Sequence, residues 1–115
     1  MNRLNAAVAT FCILVLLTGA RAQADEVDYA RDVAPIFVEQ CQSCHREGGI
    51  APWAMTNYQM LQGFAPAIKE AIVSKRMPPG QIDRKYAGTI INHRTLSNRE
   101  IGTIVEWIDA GALVE

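Results

Sequence analysis

The sequence predicts an all-α domain. Apolar residues recur at intervals of three and four in the segments 33–41, 68–72 and 101–108, as on one face of a helix. Residues that favour helix ends flank these segments, and no segment alternates convincingly between apolar and polar residues as a strand does. The chain has 115 residues, which is enough for one domain at most.

Residues 1–24 have the three parts of a secretory signal peptide. Arg3 supplies a positive charge, residues 6–17 are an apolar run of 12 residues, and Ala22 and Ala24 suit cleavage after Ala24, with Ala22 as the near alternative. A retained membrane anchor is disfavoured because spanning a bilayer takes roughly 20 apolar residues. We therefore expect a periplasmic, exported protein with no permanent membrane span, whose domain is 25–115.

Removal of the signal peptide changes the charge and the cysteine count. It takes Arg3 and Arg21 from the 11 basic residues and none of the 12 acidic ones, so the formal charge falls from −1 to about −3. Such a chain has no basic excess for binding nucleic acid. Cys12 is also lost, which leaves Cys41 and Cys44. Small exported domains usually need a disulfide, a metal or a cofactor for stability.

The first helix is predicted to begin at Asp32, whose side chain can cap its N-terminus, and Pro35 suits its first turn. This helix runs into the cysteine motif and is stopped by Gly48 and Gly49. Residues 46–55 then form a loop.

Thr56 or Asn57 is predicted to cap a second helical stretch, which Pro66 interrupts or restarts as residues 65–76. The sequence MPPG at 77–80 ends that helix. Residues 80–96 show little periodicity and are predicted to form a long loop, which in a small domain is usually functional.

The last predicted helix follows Ser97, which forms a capping box with Glu100, and Gly111 is its C-cap.

Cys41, Cys44 and His45 form the pattern C-x-x-C-H, which is typical of c-type haem attachment. The two thiols lie on one helical turn and can add across the two vinyl groups of a haem, and the imidazole that follows can bind the iron. The second imidazole nitrogen is expected to hydrogen-bond to a backbone carbonyl. Three alternatives are disfavoured. A thioredoxin-type dithiol would need a βαβ context, and the sequence predicts no strands. A zinc site would need a clear fourth ligand, and a structural disulfide would leave His45 unexplained. The pattern favours one covalent haem c.

Met77 is the favoured sixth ligand of the iron. It lies in SKRMPPG, where two prolines stiffen the backbone, and a thioether ligand raises the reduction potential. The alternatives are His93, Met55, Met60 and an open site.

Three segments resemble a bacterial subgroup of small monohaem c-type cytochromes: CQSCHREGGIAPW at 41–53, AIKEAIVSKRMPP at 67–79 and LSNREIGTIVEWIDAGA at 96–112. The resemblance implies a cytochrome c fold, with three to four helices packed around a covalently attached haem. It also implies that the first and last helices pack across each other, which suits a contact between these apolar residues: Ile36, Phe37, Ile104, Trp107 and Ile108. It implies His45 and Met77 as the axial iron ligands, and electron transfer between redox partner proteins without enzymatic turnover. Residues 80–94 depart from the subgroup pattern, which leaves the role of His93 open.

Two other functions stay open: a haem protein with an open distal site that acts as a gas sensor or peroxidase, and a redox subunit fixed to a larger oxidoreductase. The side chains of Arg46, Trp53 and Tyr58 are candidates for hydrogen bonds to the haem propionates. Five basic residues near Met77 form a possible docking patch for an acidic redox partner: Lys69, Lys75, Arg76, Arg84 and Lys85. The favoured alternative is that Lys75 and Arg76 complement a helix C-terminus and that the other three are solvated charges.

Overall fold

The computed structural model describes residues 26–86 and 88–114, and every regular element among them is helical. A π-helical turn, Tyr29–Val33, continues into helix α1, Ala34–Gln40. The other elements are α2 (Tyr58–Gly63), α3 (Ala65–Val73), a 3-10 turn (Arg84–Tyr86) and α4 (Asn98–Asp109). The prediction of an all-α domain is confirmed for this part of the chain. The predicted signal peptide, residues 1–24, lies outside it.

The first helical segment begins at Tyr29, so the prediction that Asp32 caps it was wrong. Asp28 is the N-cap, and its carboxylate accepts a hydrogen bond from the backbone N–H of Arg31 at 2.6 Å. The carboxylate of Asp32 accepts from the backbone N–H of Asp28 at 2.9 Å. The ring of Tyr29 packs against the ring of Trp107, with 5.3 Å between centroids. This tertiary contact stabilises a turn that the apolar pattern did not mark.

The predicted starts of the other helices agree with those observed. The side chain of Asn57 accepts from the backbone N–H of Met60 and caps α2. Pro66 lies in the first turn of α3. Phe64 is the residue that separates α2 from α3. Ser97 and Glu100 form the predicted capping box of α4. These ends were predictable because each depends on a side chain and backbone groups a few residues away.

The core lies where α4 packs against α3 and against the N-terminal π-helical turn. The rings of Phe37 and Trp107 meet edge to face, with 6.1 Å between centroids, so this predicted contact between the first and last helices is confirmed. The largest fully buried side chains are those of Trp107, Phe37, Leu61, Ile104 and Val33.

The long connection from Gly80 to Leu96 contains only the short 3-10 turn in the portion described. The Thr95 hydroxyl accepts a hydrogen bond from the backbone N–H of Ile82 at 3.1 Å, which ties the two ends of the connection together. None of the described helices has the length and apolar character needed to cross a membrane.

Candidate functional site

The cysteine motif begins where α1 ends. Cys41 is the C-cap residue, and its N–H donates to the carbonyl of Phe37 at 3.0 Å. The carbonyl of Cys41 accepts from the N–H groups of Cys44 at 3.1 Å and His45 at 3.0 Å. The three motif residues therefore share one hydrogen-bonded turn, as predicted, although α1 itself stops at Gln40 rather than at the glycines.

Residues 46–55 form a loop that folds back onto this turn. The N–H of Ala51 donates to the carbonyl of Cys44 at 3.2 Å, and the N–H of Met55 donates to the carbonyl of His45 at 2.8 Å. The side chain of Gln42 donates to the carbonyl of Met55, also at 2.8 Å. These bonds satisfy backbone groups that would otherwise be unpaired beside the motif.

Gly49 permits this close return. A Cβ atom at this position would lie 2.3 Å from the carbonyl oxygen of Cys44 and 2.9 Å from that of Arg46. Both contacts are with backbone atoms, which cannot move aside as a flexible side chain can. The second glycine of the pair was predicted to be a helix stop, and its steric role became visible only in the folded chain.

The imidazole of His45 is buried and held by the same loop. Its Nδ1 lies 3.0 Å from the carbonyl oxygen of Trp53. Because a carbonyl oxygen can only accept, Nδ1 carries the proton, and in the neutral ring Nε2 then has a free lone pair. The hydrogen bond predicted from the sequence between this imidazole and a backbone carbonyl is present.

Aromatic rings support the imidazole from the side. The rings of His45 and Trp53 meet edge to face with 5.1 Å between centroids, and Trp53 stacks on Phe64 at 4.3 Å. Phe64 is the residue between α2 and α3, so this stack connects the motif loop to the helix junction.

A cavity of about 460 Å³ opens beside the motif and is lined almost entirely by apolar atoms. Cys41, Cys44 and His45 all line it, and so does Met77. The opposite walls come from the motif loop and from α3, with Trp53, Phe64, Ile68 and Ile72 among the contributing side chains. The volume is within the range of cavities that bind organic ligands and cofactors, roughly 300–1,000 Å³.

Met77 follows the end of α3. Its N–H donates to the carbonyl of Ala71 at 3.0 Å, and its carbonyl accepts from the side-chain amide of Gln81 at 2.9 Å. Lys75, two residues before Met77, has a positive φ of 58°, which turns the chain out of the helix. The residue is therefore held on both sides by hydrogen bonds while its side chain remains 37% exposed.

The alternative iron ligands considered from the sequence are placed differently. Met55 also lines the cavity and is buried, but its N–H is bonded to the backbone of His45. Met60 and His93 are not among the cavity-lining residues. The Nδ1 atom of His93 is buried and has no hydrogen-bond partner among the described residues.

Cys41 and Cys44 are free thiols. Burial raises the pKa of the Cys41 thiol to about 12, and the charges of Cys44 and Glu100 add to the effect. Dithiol oxidoreductases depend on a cysteine with a lowered pKa, because the thiolate is the nucleophile. This arrangement disfavours a thioredoxin-type function. Within the described residues, no three or more His, Cys, Asp and Glu side chains are grouped to hold a metal ion by themselves.

Acidic neighbours neutralise much of the possible docking patch. Lys69 pairs with Asp109, and Lys85 lies 3.9 Å from the carboxylate of Asp83. The guanidinium of Arg76 donates to both carboxylate oxygens of Glu70. The side chain of Arg84 lies outside the described part. Such pairing weakens the long-range field that steers a charged partner.

Comparisons with protein-family models, with curated proteins and with solved structures found no match to this chain.

Proposed function

We propose that the chain is an exported monohaem c-type cytochrome, which carries single electrons between redox partner proteins and catalyses no reaction of its own. One observation carries the proposal. Two cysteine thiols and an imidazole whose Nδ1 is bound to a carbonyl line the same apolar cavity, in the order C-x-x-C-H. The helical content of the described residues is compatible with a cytochrome c fold.

The cavity fits a haem in its chemistry. A tetrapyrrole is a large apolar body, and the cavity walls are almost entirely apolar. Cys41 and Cys44 would hold the group through thioether bonds. Each bond forms when an S–H adds across a vinyl C=C, with the sulfur going to one carbon and the hydrogen to the other, so no stable thiolate is required. The raised pKa of Cys41 is therefore compatible with this use, whereas it disfavours a redox dithiol.

His45 would be the proximal iron ligand. The Trp53 carbonyl accepts the Nδ1 proton at 3.0 Å, which selects the tautomer with Nε2 free and restricts rotation of the ring. A hydrogen-bonded imidazole is also a more basic ligand than a free one. The aromatic contact with Trp53 further limits the orientation of the ring.

Met77 would be the distal ligand. Of the methionine and histidine alternatives, only Met77 and Met55 line the cavity. Met55 is bonded through its backbone to the proximal residue His45, so we assign the distal role to Met77, which belongs to the separate turn after α3. The bonds from Met77 to Ala71 and Gln81 hold its backbone in place, as suits a ligand that should move little between redox states.

When bound, the haem would supply a one-electron Fe(III)/Fe(II) couple, whose potential a thioether ligand raises. The chain would contribute His45 and Met77 as iron ligands and an apolar cavity that excludes water. The predicted signal peptide, residues 1–24, supports a periplasmic location, where the redox partner proteins would also reside.

The direct test is to express the full chain in a bacterial host that attaches haem c in the periplasm. We expect red protein that retains the absorbance after denaturation, because the thioethers are covalent. Cys41→Ser with Cys44→Ser should abolish covalent retention, whereas Ser43→Ala, in the same turn, should leave it intact. Colourless protein with both thiols free would refute the proposal.

Ligand binding separates the carrier from the haem protein with an open distal site. A carrier with both axial positions filled should bind cyanide in the ferric state slowly, and carbon monoxide in the ferrous state slowly. Rapid binding of both would favour a gas sensor or peroxidase. Co-purification of a large oxidoreductase at fixed stoichiometry would favour the bound redox subunit.

A further inference from the structure

We infer that the guanidinium of Arg94 binds a carboxylate of the cofactor at the edge of the cavity. The inference rests on the proposed function and extends it to a residue that the sequence did not single out. Arg94 lines the cavity, and its side chain has no hydrogen-bond or ion-pair partner among the residues that the structure describes.

Only two basic residues line the cavity in the described part of the chain, Arg76 and Arg94. Glu70 engages Arg76 through both of its carboxylate oxygens, and one of these bonds has a length of 2.8 Å. A guanidinium that already makes a bidentate pair has less capacity for a second carboxylate. Arg94 is therefore the cavity cation that is left to bind an anion.

The sequence-based candidates for this role are placed less favourably. The hydroxyl of Tyr58 already donates to the backbone carbonyl of Ala112 at 2.6 Å. Tyr58 also does not line the cavity. Arg46 and Arg94 are both exposed, but Arg46 does not line the cavity, whereas Arg94 does. Trp53 does line the cavity, but its indole offers one neutral donor and no charge.

The chain around Arg94 is held in place. The next residue, Thr95, accepts a hydrogen bond from the N–H of Ile82, and Leu96 belongs to the buried core. The two residues that follow Arg94 are thus anchored, one by the loop after Met77 and the other by the packed interior.

The chemistry of the cavity creates a need for such a cation. A haem carries two carboxylates, and a carboxylate against apolar walls is costly unless a donor or a positive charge compensates it. The planar guanidinium can donate two parallel hydrogen bonds to one carboxylate, which a lysine cannot do. Arg94 would thereby set the orientation of the cofactor edge and add positive charge near the iron.

The test compares haem-loaded full-length variants in which one arginine is replaced. Loss of positive charge near the iron stabilises Fe(III), so Arg94→Gln should lower the midpoint potential. We expect the reduction equilibrium constant to fall at least about threefold at pH 7, which corresponds to roughly 28 mV at 59 mV per tenfold change. Arg99→Gln, the same change on α4 away from the cavity, should have a much smaller effect.

A second readout reports the hydrogen bond itself. The resonance Raman bending band of the haem carboxylates responds to hydrogen bonding, and it should shift in Arg94→Gln but not in Arg99→Gln. Arg94→Lys retains the charge and loses the bidentate geometry. This variant should therefore keep the potential near that of the unmodified protein while still shifting the Raman band. If the glutamine variant fails to fold, the Raman band of Arg94→Lys still tests the hydrogen bond.

The outcomes are distinct. If Arg94→Gln and Arg99→Gln give equal potentials and an unshifted Raman band in red protein, Arg94 does not bind the carboxylate. If Arg76→Gln shifts both readouts and Arg94→Gln shifts neither, Arg76 binds the carboxylate and the inference is overturned. Unmodified protein that carries no haem would overturn the proposed function itself.

Discussion

The Nδ1–H of His45 donates to the backbone carbonyl of Trp53, eight residues later, across 3.0 Å. The same tryptophan contacts the imidazole with its ring, so one residue controls both the tautomer and the orientation of the histidine. The loop from residue 46 to 55 is therefore part of the candidate site, although the motif proper ends at residue 45.

Replacing Trp53 by Ala should destabilise the protein and loosen the imidazole. The half-buried indole stacks on Phe64 and contacts His45, so we expect a loss of about 1–3 kcal/mol in the free energy of unfolding. Urea denaturation of the haem-loaded protein measures the loss. Trp53→Phe should retain most of the stability, and equal stability of the alanine variant would show that the stack is unimportant.

Gly49→Ala should impair folding of the motif loop, because its Cβ would lie 2.3 Å from the carbonyl oxygen of Cys44. We expect reduced haem attachment and a lower denaturation midpoint. Gly102→Ala is the matched control. Gly102 lies inside α4 with open space around its Cα, so alanine there should stabilise by up to about 1 kcal/mol. Normal attachment in Gly49→Ala would contradict the steric role.

Met77→Ala should lower the midpoint potential by at least about 59 mV, because a soft thioether ligand favours Fe(II). This shift corresponds to a tenfold fall in the equilibrium constant for reduction. The substitution should also remove the sulfur-to-iron absorption band and speed cyanide binding. Met60→Ala, which changes a residue outside the cavity lining, should alter none of these. Unchanged spectra in Met77→Ala would show that another group is the distal ligand.

The pair between Glu70 and Arg76 should make stability depend on pH. The hydrogen bonds from Arg76 lower the pKa of Glu70 below its ordinary value of 4.5. Because the pKa of the folded state is the lower one, the pair stabilises above pH 4.5, and this contribution is lost as the pH falls through the folded value. Glu70→Gln should therefore unfold at lower urea concentration than the unmodified protein at pH 7, but not at pH 2.

Glu39→Gln, which removes an exposed carboxylate of α1, is the control for charge alone. The effect at Glu70 should be small, since both partners are exposed. A difference between Glu70→Gln and the unmodified protein that persists unchanged at pH 2 would rule out the titration of Glu70 as its cause.

Electron exchange with small charged reagents should depend weakly on salt. Three of the five cations near Met77 have acidic partners, Asp109, Glu70 and Asp83, which reduce the local positive field. We expect oxidation by hexacyanoferrate(III) to change by less than about threefold between low and high salt, since the remaining charges are screened over about 10 Å at 0.1 M. A cationic cobalt oxidant is the matched comparison. A steep decrease with salt for the anion alone would indicate a strong docking patch.

Local signals explain why several helix ends were predictable. Asn57 and Ser97 cap α2 and α4 through backbone groups three residues away, and Pro66 marks the start of α3. The first turn was misplaced because Asp32 was taken as the cap, whereas Asp28 caps the turn through the N–H of Arg31. The ring of Tyr29 also packs against Trp107, a contact between the two ends of the domain. Periodicity within a segment carries no information about such a contact.

The same distinction applies to the candidate site. The spacing of Cys41, Cys44 and His45 identified the motif, and the expected hydrogen bond from His45 to a carbonyl is present. The identity of the carbonyl could not be predicted, because it depends on how the loop returns past Gly49. Arg94 belongs to no motif that the sequence shows. It lines the cavity only because of the way in which the long connection folds.

The sequence by itself determined the helical class, the starts of α2, α3 and α4 and the chemical groups of the motif, because these depend on interactions within a few residues. The tertiary structure decided which methionines reach the cavity, which arginine is left without a partner and which carbonyl holds His45. Those outcomes depend on packing between segments that are far apart in the chain, where many arrangements satisfy the same local preferences and only the packed core selects one.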